Sequence, residues 1–492
     1  MRSECGRIFY GRLVGSVMMQ KLLTKYGLMA HVACVVAYPL FYLAHGRVFG
    51  FTALLWLSLA VVEMMVLLPS VRRGETLSDA RLRVMRGVLW DPFFYTGLAV
   101  VGVALVQWLN SGCGLVYLAD ADVWQMSNPP VTWAPFCVEA RAGSTMVAVF
   151  TACVTVGVAL RAALGKSAKR QLLQWLAGLG GLFAVYAVAQ AGLGRLPYAA
   201  LVMDAGGAAM GTFFGFWALL GMGLFVDALA RCQRRSKFLL VFGVLGNLAG
   251  MLFFARAFSV YIYVFLTVVL LGYWMLYVRP HVAKQTQFKL FLGALVILGT
   301  VAVSIFFLFP QNPVLSKFVS VLRSDSFWTE FADAQKIRTA VALDIWQDHP
   351  WVGVGADGFH HFVGLSVSAK DWGSLKSGQG CVYNDCLQFL CEYGVLGAGF
   401  LLAAVVTLLV PLCYRARIAW KFGTNDENDG RPYLLRLSPV VVVGVVATSV
   451  CFFESWFSGP FRSYGVLLSW TCVMAALPAF LPARAQKHAG EN

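Results

Sequence analysis

Two apolar runs that follow one another almost without interruption decide the fold. They are FLLVFGVLGNLAGMLFF at Phe238–Phe254 and AFSVYIYVFLTVVLLGYWMLY at Ala257–Tyr277. A helix needs about 20 consecutive apolar residues to cross a bilayer, and each run has about that length. Only Ala255 and Arg256 separate the two runs, so they predict a tight hairpin between adjacent membrane spans.

The composition of the whole chain supports the same interpretation. Of its 492 residues 59% are hydrophobic and only 13% are charged, whereas a soluble domain has about 45–50% apolar and about 25% charged residues. The net charge of +15 by itself would suit a nucleic-acid-binding protein. The basic residues lie in short clusters between apolar runs, however, which is the pattern that sets membrane topology. We therefore expect membrane lipids as partners and no nucleic acid.

The apolar runs predict an all-α integral membrane protein of about 12 transmembrane helices with one large helical extracytoplasmic loop. Residues 1–309 hold about nine spans, residues 310–392 form the large loop, and residues 393–492 hold about three spans and a cytoplasmic tail. The predicted spans are 27–44, 49–69, 90–109, 145–161, 172–193, 211–229, 238–254, 257–277, 290–309, 393–414, 437–453 and 465–481.

The basic residues predict the orientation. Cytoplasmic segments are enriched in Lys and Arg, and placing both termini in the cytoplasm puts most of the 39 basic residues on that side. The large loop is then outside, as is the segment 110–144. That segment contains Cys113 and Cys137, which form either a disulfide in an oxidising compartment or two free thiols. We expect the disulfide.

The large loop contains the chain's most unusual motifs. Apolar residues at helical spacing predict a helix over Phe331–Gln347, and Pro350 with the glycines that follow predicts a turn. The sequence there is DHPWVGVGADGFHHF, Asp348–Phe362. Further on, YNDCLQFLCEYGVLG at Tyr383–Gly397 predicts a helix that leads back into the membrane.

Four segments resemble the O-antigen ligase and O-antigen polymerase family of membrane glycosyltransferases. RTAVALDIWQDHPWVGVGADGF, Arg338–Phe359, is similar to the family's arginine, amphipathic helix and glycine turn. In Tyr383–Gly397, nine residues separate Asn384 from Gly394, as in the ligase signature. FFARAFSVYI, Phe253–Ile262, resembles the segment that carries an arginine at the outer end of a helix. The fourth is GGAAMGTFFGFWALLGMGL, Gly206–Leu224, which follows Arg195.

The resemblance implies an enzyme of the bacterial inner membrane that acts on the periplasmic face. Its donor would be an undecaprenyl-diphosphate-linked glycan, and its acceptor a hydroxyl of lipid A-core, of a glycan or of a protein. Arginines bind phosphate oxygens through a planar fork, so Arg256, Arg338 and Arg195 are the expected diphosphate-binding residues. We expect no cofactor, and no metal ion because the outer loop has no paired-aspartate motif.

One position departs from the family. The signature histidine, which is proposed to activate the acceptor hydroxyl, is Tyr383 here, and tyrosine is a poor base at neutral pH because it titrates near pH 10. The role has passed to His360 or His361, or Tyr383 positions the acceptor, or the reaction is lost. The expected catalytic residues are therefore Tyr383, Asn384, His360 and His361.

Simpler readings of these residues stay open. Arg256 would then be an arginine that anchors a helix end in the interface, Arg338 the solvated face of a helix, and the histidine pair one exposed and one packed side chain. For the whole protein the alternatives are a transporter or flippase of a lipid-linked or anionic substrate, which would show a repeat between its halves, or a non-catalytic relative of the ligases.

Overall fold

The computed structural model describes residues 50–67, 69, 75–119, 122–192, 207–231, 234–254, 257–278, 326–367, 381–423 and 437–481. These ranges are mostly helical. Their elements in chain order are α1 (Gly50–Leu67), α2 (Leu77–Leu89), α3 (Pro92–Leu109), β1 (Leu115–Leu118), β2 (Val123–Met126), α4 (Ala140–Val158, continued by a π-helical turn at Ala159–Ala163), α5 (Lys166–Gly192), α6 (Gly207–Ala230), α7 (Arg234–Phe254), α8 (Ala257–Val278), α9 (Ser326–Asp348), α10 (Gly358–Ser366), α11 (Asp385–Gly423), α12 (Pro439–Glu454) and α13 (Tyr464–Ala476). Short 3-10 helices occur at Pro460–Arg462 and Leu477–Phe480.

The helices bear out the prediction of a mostly helical protein with apolar helices of membrane-spanning length. Among the described residues, five are long and apolar enough to cross a membrane: Pro92–Leu109, Ala140–Ala163, Lys166–Ala189, Ala209–Ala230 and Asp385–Trp420. Shorter apolar helices are Leu54–Glu63, Phe238–Phe254, Ile262–Tyr277, Pro439–Glu454 and Tyr464–Phe480. All of them coincide with predicted spans. The predicted spans at 27–44 and 290–309 lie outside the described residues, and the total of about 12 stays a prediction.

Helix α6 lies at the centre of the helical packing, against α5, α7 and α12. Its sequence GTFFGFWALLGMGL has no polar face, and a helix that is apolar all round is a buried helix. Phe214, Trp217 and Leu220 are fully buried. The one indole donor among them is satisfied, since Trp217 Nε1 donates to Ser469 Oγ at 3.0 Å.

The connections between helices gather in two groups. The first group contains residues 110–119, 122–139, 349–367, 381–384 and 455–463, which are connected by hydrogen bonds and ring contacts. A separate group joins Arg161 to Asp91 and Arg170 to Asp227. This grouping is what the alternation of spans predicts, because the first set belongs to predicted outer segments and the second to predicted cytoplasmic ones. Which group faces the cytoplasm stays a prediction.

The β-ribbon and helix α2 were not predicted. β1 and β2 form an antiparallel ribbon with Leu115 opposite Met126, so the description "all-α" is incomplete. Strands of four residues are too short for their alternation to stand out from a loop. Helix α2 falls where the sequence predicted only a basic cytoplasmic segment. It begins with a capping box between Thr76 and Asp79, which is a local signal for the start of a helix. The many arginines of this segment led to its interpretation as a cytoplasmic connection only.

The predicted loop helix is confirmed and belongs to a small second core. Helix α9 covers the predicted Phe331–Gln347 and packs with α10 and the start of α11. The core that they share is apolar and almost fully buried, with Ile345, Val354 and Phe359 at its centre. This unit fixes the position of the segments that form the candidate site.

Candidate active site

The two motifs of the predicted loop lie against each other. Helix α11 is interrupted at Gly394, whose backbone angles (φ 62°, ψ −173°) are not helical. The interruption frees carbonyl groups one turn earlier, and the glycine turn supplies donors for them. Val354 N donates to Cys391 O at 3.0 Å and Gly355 N donates to Glu392 O at 2.8 Å. In return, Val395 N donates to Pro350 O at 2.9 Å.

This approach of two backbones requires glycine at both contact points. Gly353 and Gly394 both have positive φ angles. A Cβ at Gly394 would lie 2.4 Å from the carbonyl of Trp351, and one at Gly353 would lie 2.5 Å from the carbonyl of Glu392. Gly394 occupies a region of backbone space that is essentially restricted to glycine. The signature glycine is therefore a packing requirement of the site.

The end of α3 and the segment around Phe136 brace the same turn from the other side. Gln107 Nε2, at the end of α3, donates to Glu392 O at 3.0 Å. The imidazole of His349 contacts two rings edge-on, with centroids 5.4 Å from Phe136 and 5.9 Å from Phe362. Burial lowers the pKa of His349, and the neighbouring Asp348 carboxylate opposes that shift in part. His349 is thus a structural residue of the turn.

The predicted residues Arg338 and Tyr383 are brought together. The Cζ atom of the Arg338 guanidinium lies 4.7 Å from the centre of the Tyr383 ring, which is within the range of a cation–π contact. Both side chains are buried, at 5% exposure each. Arg338 is therefore not on a solvated helix face, and the functional interpretation of this residue gains support.

The backbone of Tyr383 is held in an unusual conformation. Its φ is 56°, and only Asp122 and Asp357 share a positive φ among the described non-glycine residues. Such angles cost about 1–3 kcal/mol and tend to cluster at functional sites. Two side-chain amides hold the preceding residue in place, since Gln335 Nε2 donates to Val382 O at 3.0 Å and Val382 N donates to Gln388 Oε1 at 3.1 Å.

Asn384 caps the helix that follows. Its side-chain Oδ1 accepts a hydrogen bond from Leu387 N at 3.1 Å, and its carbonyl accepts from Gln388 N at 2.9 Å. Asparagine is among the preferred residues at this position because its oxygen satisfies an otherwise free helix N–H. The structure therefore gives the Asn384 side chain a capping role in α11, which orients Tyr383.

A second arginine, which sequence reasoning missed, enters the site from the loop between α12 and α13. Arg462 forms an ion pair with Asp357 and donates to the sulfur of Cys381. The loop is fixed by Asp385, whose N donates to Ser455 O at 2.7 Å and whose Oδ2 accepts from Phe461 N at 2.9 Å. Arg338 and Arg462 thus flank the three-residue segment Cys381–Tyr383.

The site combines these two cations with several acidic groups. The charge of Arg462 acts on Asp385 and Glu392 as well as on Asp357. Glu392 is buried, and its Oε1 accepts from Gln388 Nε2 at 2.7 Å. Burial raises the pKa of the Cys381 thiol, and the Arg462 guanidinium offsets part of this shift. Asp357 is the most exposed of the three carboxylates, with 36% of its side chain accessible.

The histidine pair lies on α10. His360 is exposed and His361 is half-buried, with ring centroids 5.4 Å apart. His361 Nε2 lies 3.6 Å from Glu139 Oε1, at the N-terminus of α4. The contacts of His361 therefore run to the 110–139 segment. The arrangement matches the simpler interpretation of the sequence, in which one histidine of the pair is exposed and the other is packed.

The other predicted groups have different outcomes. Arg256 and Arg195 lie outside the described residues. Cys113 and Cys137 are both buried free thiols, so the expected disulfide is not formed in this structure. The sulfur of Cys137 instead donates to Glu139 O at 3.0 Å and to Ala356 O at 3.5 Å. Within the described ranges no cluster of three His, Cys, Asp or Glu side chains is placed to hold a metal ion.

Arg462 and Asp357 had a weak signal in the sequence. Arg462 is an arginine in a nine-residue loop, Ser455–Ser463, which the sequence assigned to the outer side, where basic residues are predicted to be sparse. Asp357 follows two glycines in the turn, a position where a left-handed aspartate is common. Their partnership joins residues 105 positions apart and has no local pattern. No protein-family model matches the chain, and no curated protein matches it either.

Proposed function

We propose that the protein is a membrane glycosyltransferase of the O-antigen ligase or polymerase type. It transfers a glycan from an undecaprenyl-diphosphate carrier to a hydroxyl acceptor on the periplasmic face of the bacterial inner membrane. The observation that carries the proposal is the contact between Arg338 and Tyr383. It joins two segments that were assigned to the active site separately, from sequence alone.

The paired arginines suit the donor. Departure of a diphosphate concentrates negative charge on its oxygens, and fixed guanidinium groups stabilise that charge in a site shielded from water. Arg338 is held against Tyr383 and Arg462 against Asp357, so neither needs to reorganise during the reaction. Arg256 and Arg195 are proposed as further contacts to the diphosphate, on the resemblance alone.

Asp357 suits the acceptor better than Tyr383 does. In the proposed step the acceptor oxygen attacks the anomeric carbon, and the bond from that carbon to the phosphate oxygen breaks. The diphosphate leaves with the electron pair, and the hydroxyl proton passes to the Asp357 carboxylate. Asp357 is partly exposed and is oriented by Arg462. The face of the Tyr383 ring, in contrast, is covered by the Arg338 guanidinium. Tyr383 then acts as a positioning residue.

The test is glycan transfer in membranes that contain the carrier-linked donor, with release of the carrier diphosphate measured in parallel. Arg338→Lys and Arg338→Ala should lower transfer by about ten- to a hundredfold, because each lost charge-assisted hydrogen bond costs about 1.5–3 kcal/mol. Arg417→Lys, an exposed arginine of α11 remote from the site, is the control. Wild-type transfer by both Arg338 variants would refute the proposed role. Movement of the donor across the membrane without diphosphate release would instead favour the transporter.

A further inference from the structure

The two-stranded ribbon between α3 and α4 has one face that is apolar throughout. Residues that stand opposite each other in an antiparallel pair share a face, as do residues two apart in one strand. The register pairs Leu115 with Met126 and Tyr117 with Trp124, so these four side chains form one face, which we call the ribbon face. It is exposed at three of them, with accessible fractions of 52% for Leu115, 46% for Tyr117 and 57% for Trp124.

The described part of the protein leaves the ribbon face uncovered. No helix within those ranges packs extensively against β1 or β2. Tyr117 and Trp124 contact each other, with ring centroids 5.2 Å apart, and the Tyr117 hydroxyl donates to the Asp122 carboxylate. The polar end of the phenol is thus satisfied while its ring stays exposed. A two-stranded ribbon alone is at best marginally stable in water, so contact with an apolar phase would stabilise this one.

The base of the ribbon is fixed at the end of α3. Gly114 N donates to Ser127 Oγ and Ser127 N donates to Gly114 O, both at 2.8 Å. Asn110, which caps the C-terminus of α3, holds the segment that follows the ribbon. Its Nδ2 donates to Val131 O at 2.8 Å, and its Oδ1 accepts from Val131 N at 2.9 Å. Because both ends of the ribbon are held at the cap of α3, the ribbon begins at the level where this helix ends.

Helix α3 supplies an apolar surface that the ribbon face continues. The helix is long and apolar enough to cross a membrane. Its exposed residues Leu98, Leu105, Val106 and Leu109 have spacings of three, four and seven, so they lie on one side of the helix. On a helix that crosses a membrane, such an exposed stripe is the surface that contacts lipid. The stripe ends at Leu109, six positions before Leu115.

From this continuity we infer that the ribbon face binds the bilayer surface and lies in the lipid interface beside the end of α3. Tyrosine and tryptophan are enriched at that interface because each ring combines an apolar body with a polar edge, and Tyr117 and Trp124 are both on this face. A strand of four residues is about 13 Å long, whereas the interface on each side of the hydrocarbon core is about 5–8 Å thick. Only a ribbon that lies along the membrane surface keeps the whole face in this layer.

The composition of the ribbon identifies the kind of lipid contact. Residues 115–126 contain no lysine or arginine, so the ribbon has no cation for an anionic headgroup. The contact is therefore with the acyl-chain boundary of the bilayer and does not require anionic lipid. It is independent of the proposed transferase activity.

The experiment measures quenching of tryptophan fluorescence in the full-length protein in phosphatidylcholine nanodiscs, where both membrane faces are open to solvent. Brominated phosphatidylcholine quenches an indole that contacts acyl chains, and iodide quenches an indole in water. The emission of Trp124 is the difference between the wild type and Trp124→Phe. We expect brominated lipid to remove most of this emission and iodide to leave it nearly unchanged. Trp217→Phe is the control, because Trp217 is fully buried and its emission should respond to neither quencher.

Two further variants test which face of the ribbon meets the lipid. Leu115→Trp adds an indole to the ribbon face, and Gln125→Trp adds one to the opposite face, since Gln125 pairs with Val116. Both positions are exposed, so both variants should fold. The indole added by Leu115→Trp should be quenched by brominated lipid, and the one added by Gln125→Trp by iodide.

Two results would overturn the inference. Iodide quenching of Trp124 and of the indole added by Leu115→Trp would place the ribbon face in water, where an aromatic surface could bind a glycan instead. Quenching of these indoles by neither agent would mean that protein covers the face.

Discussion

The guanidinium carbon of Arg338 lies 4.7 Å from the centre of the Tyr383 ring. Arg338 belongs to α9, and Tyr383 lies two residues before the start of α11. The ring therefore links α9 to the start of α11. An aromatic ring gives a buried cation favourable contact without neutralising it.

The first prediction is that the aromatic ring of Tyr383, and not its hydroxyl group, is needed for glycan transfer. Tyr383→Phe keeps the ring below Arg338, so we expect transfer within about threefold of wild type. Tyr383→Leu removes a contact worth about 0.5–2 kcal/mol and should lower transfer by about two- to thirtyfold. The measurement is transfer at matched membrane abundance. If the Phe variant were inactive, the hydroxyl and not the ring would be the functional group.

The second prediction concerns the glycine at the kink. Gly394→Ala should destabilise the protein by about 3 kcal/mol or more, because it combines backbone strain with the loss of hydrogen bonds between the turn and α11. Gly399→Ala in the same helix is the control, since a Cβ there meets nothing within 4 Å. Thermal stability in detergent should separate the two variants clearly. Equal melting temperatures would show that the two backbones do not meet in this way.

Some features of the fold and of the candidate site could be predicted from the sequence, and others could not. Apolar length, proline and glycine are local signals, so the spans, the helix over Phe331–Gln347 and the turn after it were predictable. Which segments meet is a property of the whole chain. The Arg462–Asp357 pair joins two loops 105 residues apart, and the bond between Gln107 and Glu392 joins residues 285 apart. Neither leaves a periodic pattern in the sequence.

The third prediction concerns Cys113 and Cys137. Burial raises the pKa of the Cys137 thiol to about 12, so its thiolate, the form that makes disulfides, is scarce at neutral pH. We expect both cysteines to be alkylated after denaturation without reduction, as read by peptide mass spectrometry. Recovery of a linked peptide containing both residues would restore the disulfide that the sequence predicted for an oxidising compartment.

The fourth prediction is a pH dependence of stability. The pKa of His349 is lowered in the folded state by burial, whereas an unfolded histidine titrates near 6.5. The unfolded chain therefore binds more protons than the folded one below about pH 6.5, and stability falls as the pH falls through that range. His349→Gln should flatten the decline in Tm between about pH 7 and pH 5. His360→Gln, at an exposed histidine, should leave the decline as it is in the wild type.

The fifth prediction concerns the pair formed by Asp357 and Arg462. Asp357→Asn keeps the shape of the side chain but removes the proposed proton acceptor, so transfer should fall by about a hundredfold or more, within the range for loss of a general base. The pair is partly exposed, and such ion pairs contribute about 1 kcal/mol or less to stability. The melting temperature should therefore change little. A loss of transfer at an unchanged melting temperature would indicate a chemical role for Asp357, whereas a fall in both would indicate a structural one.

Two roles are proposed for Arg462, contact with the diphosphate and orientation of Asp357, and a double-mutant cycle separates them. If Arg462 acts by orienting Asp357, then Arg462→Gln should lower transfer, and adding it to Asp357→Asn should cost little more, because the carboxylate that it orients is already gone. Asp357→Glu should recover part of the activity, since it restores a carboxylate near the guanidinium. Losses that multiply in the double variant would mean that Arg462 contacts the diphosphate independently of Asp357. Full activity of Asp357→Asn would instead return the role of proton acceptor to His360 or His361.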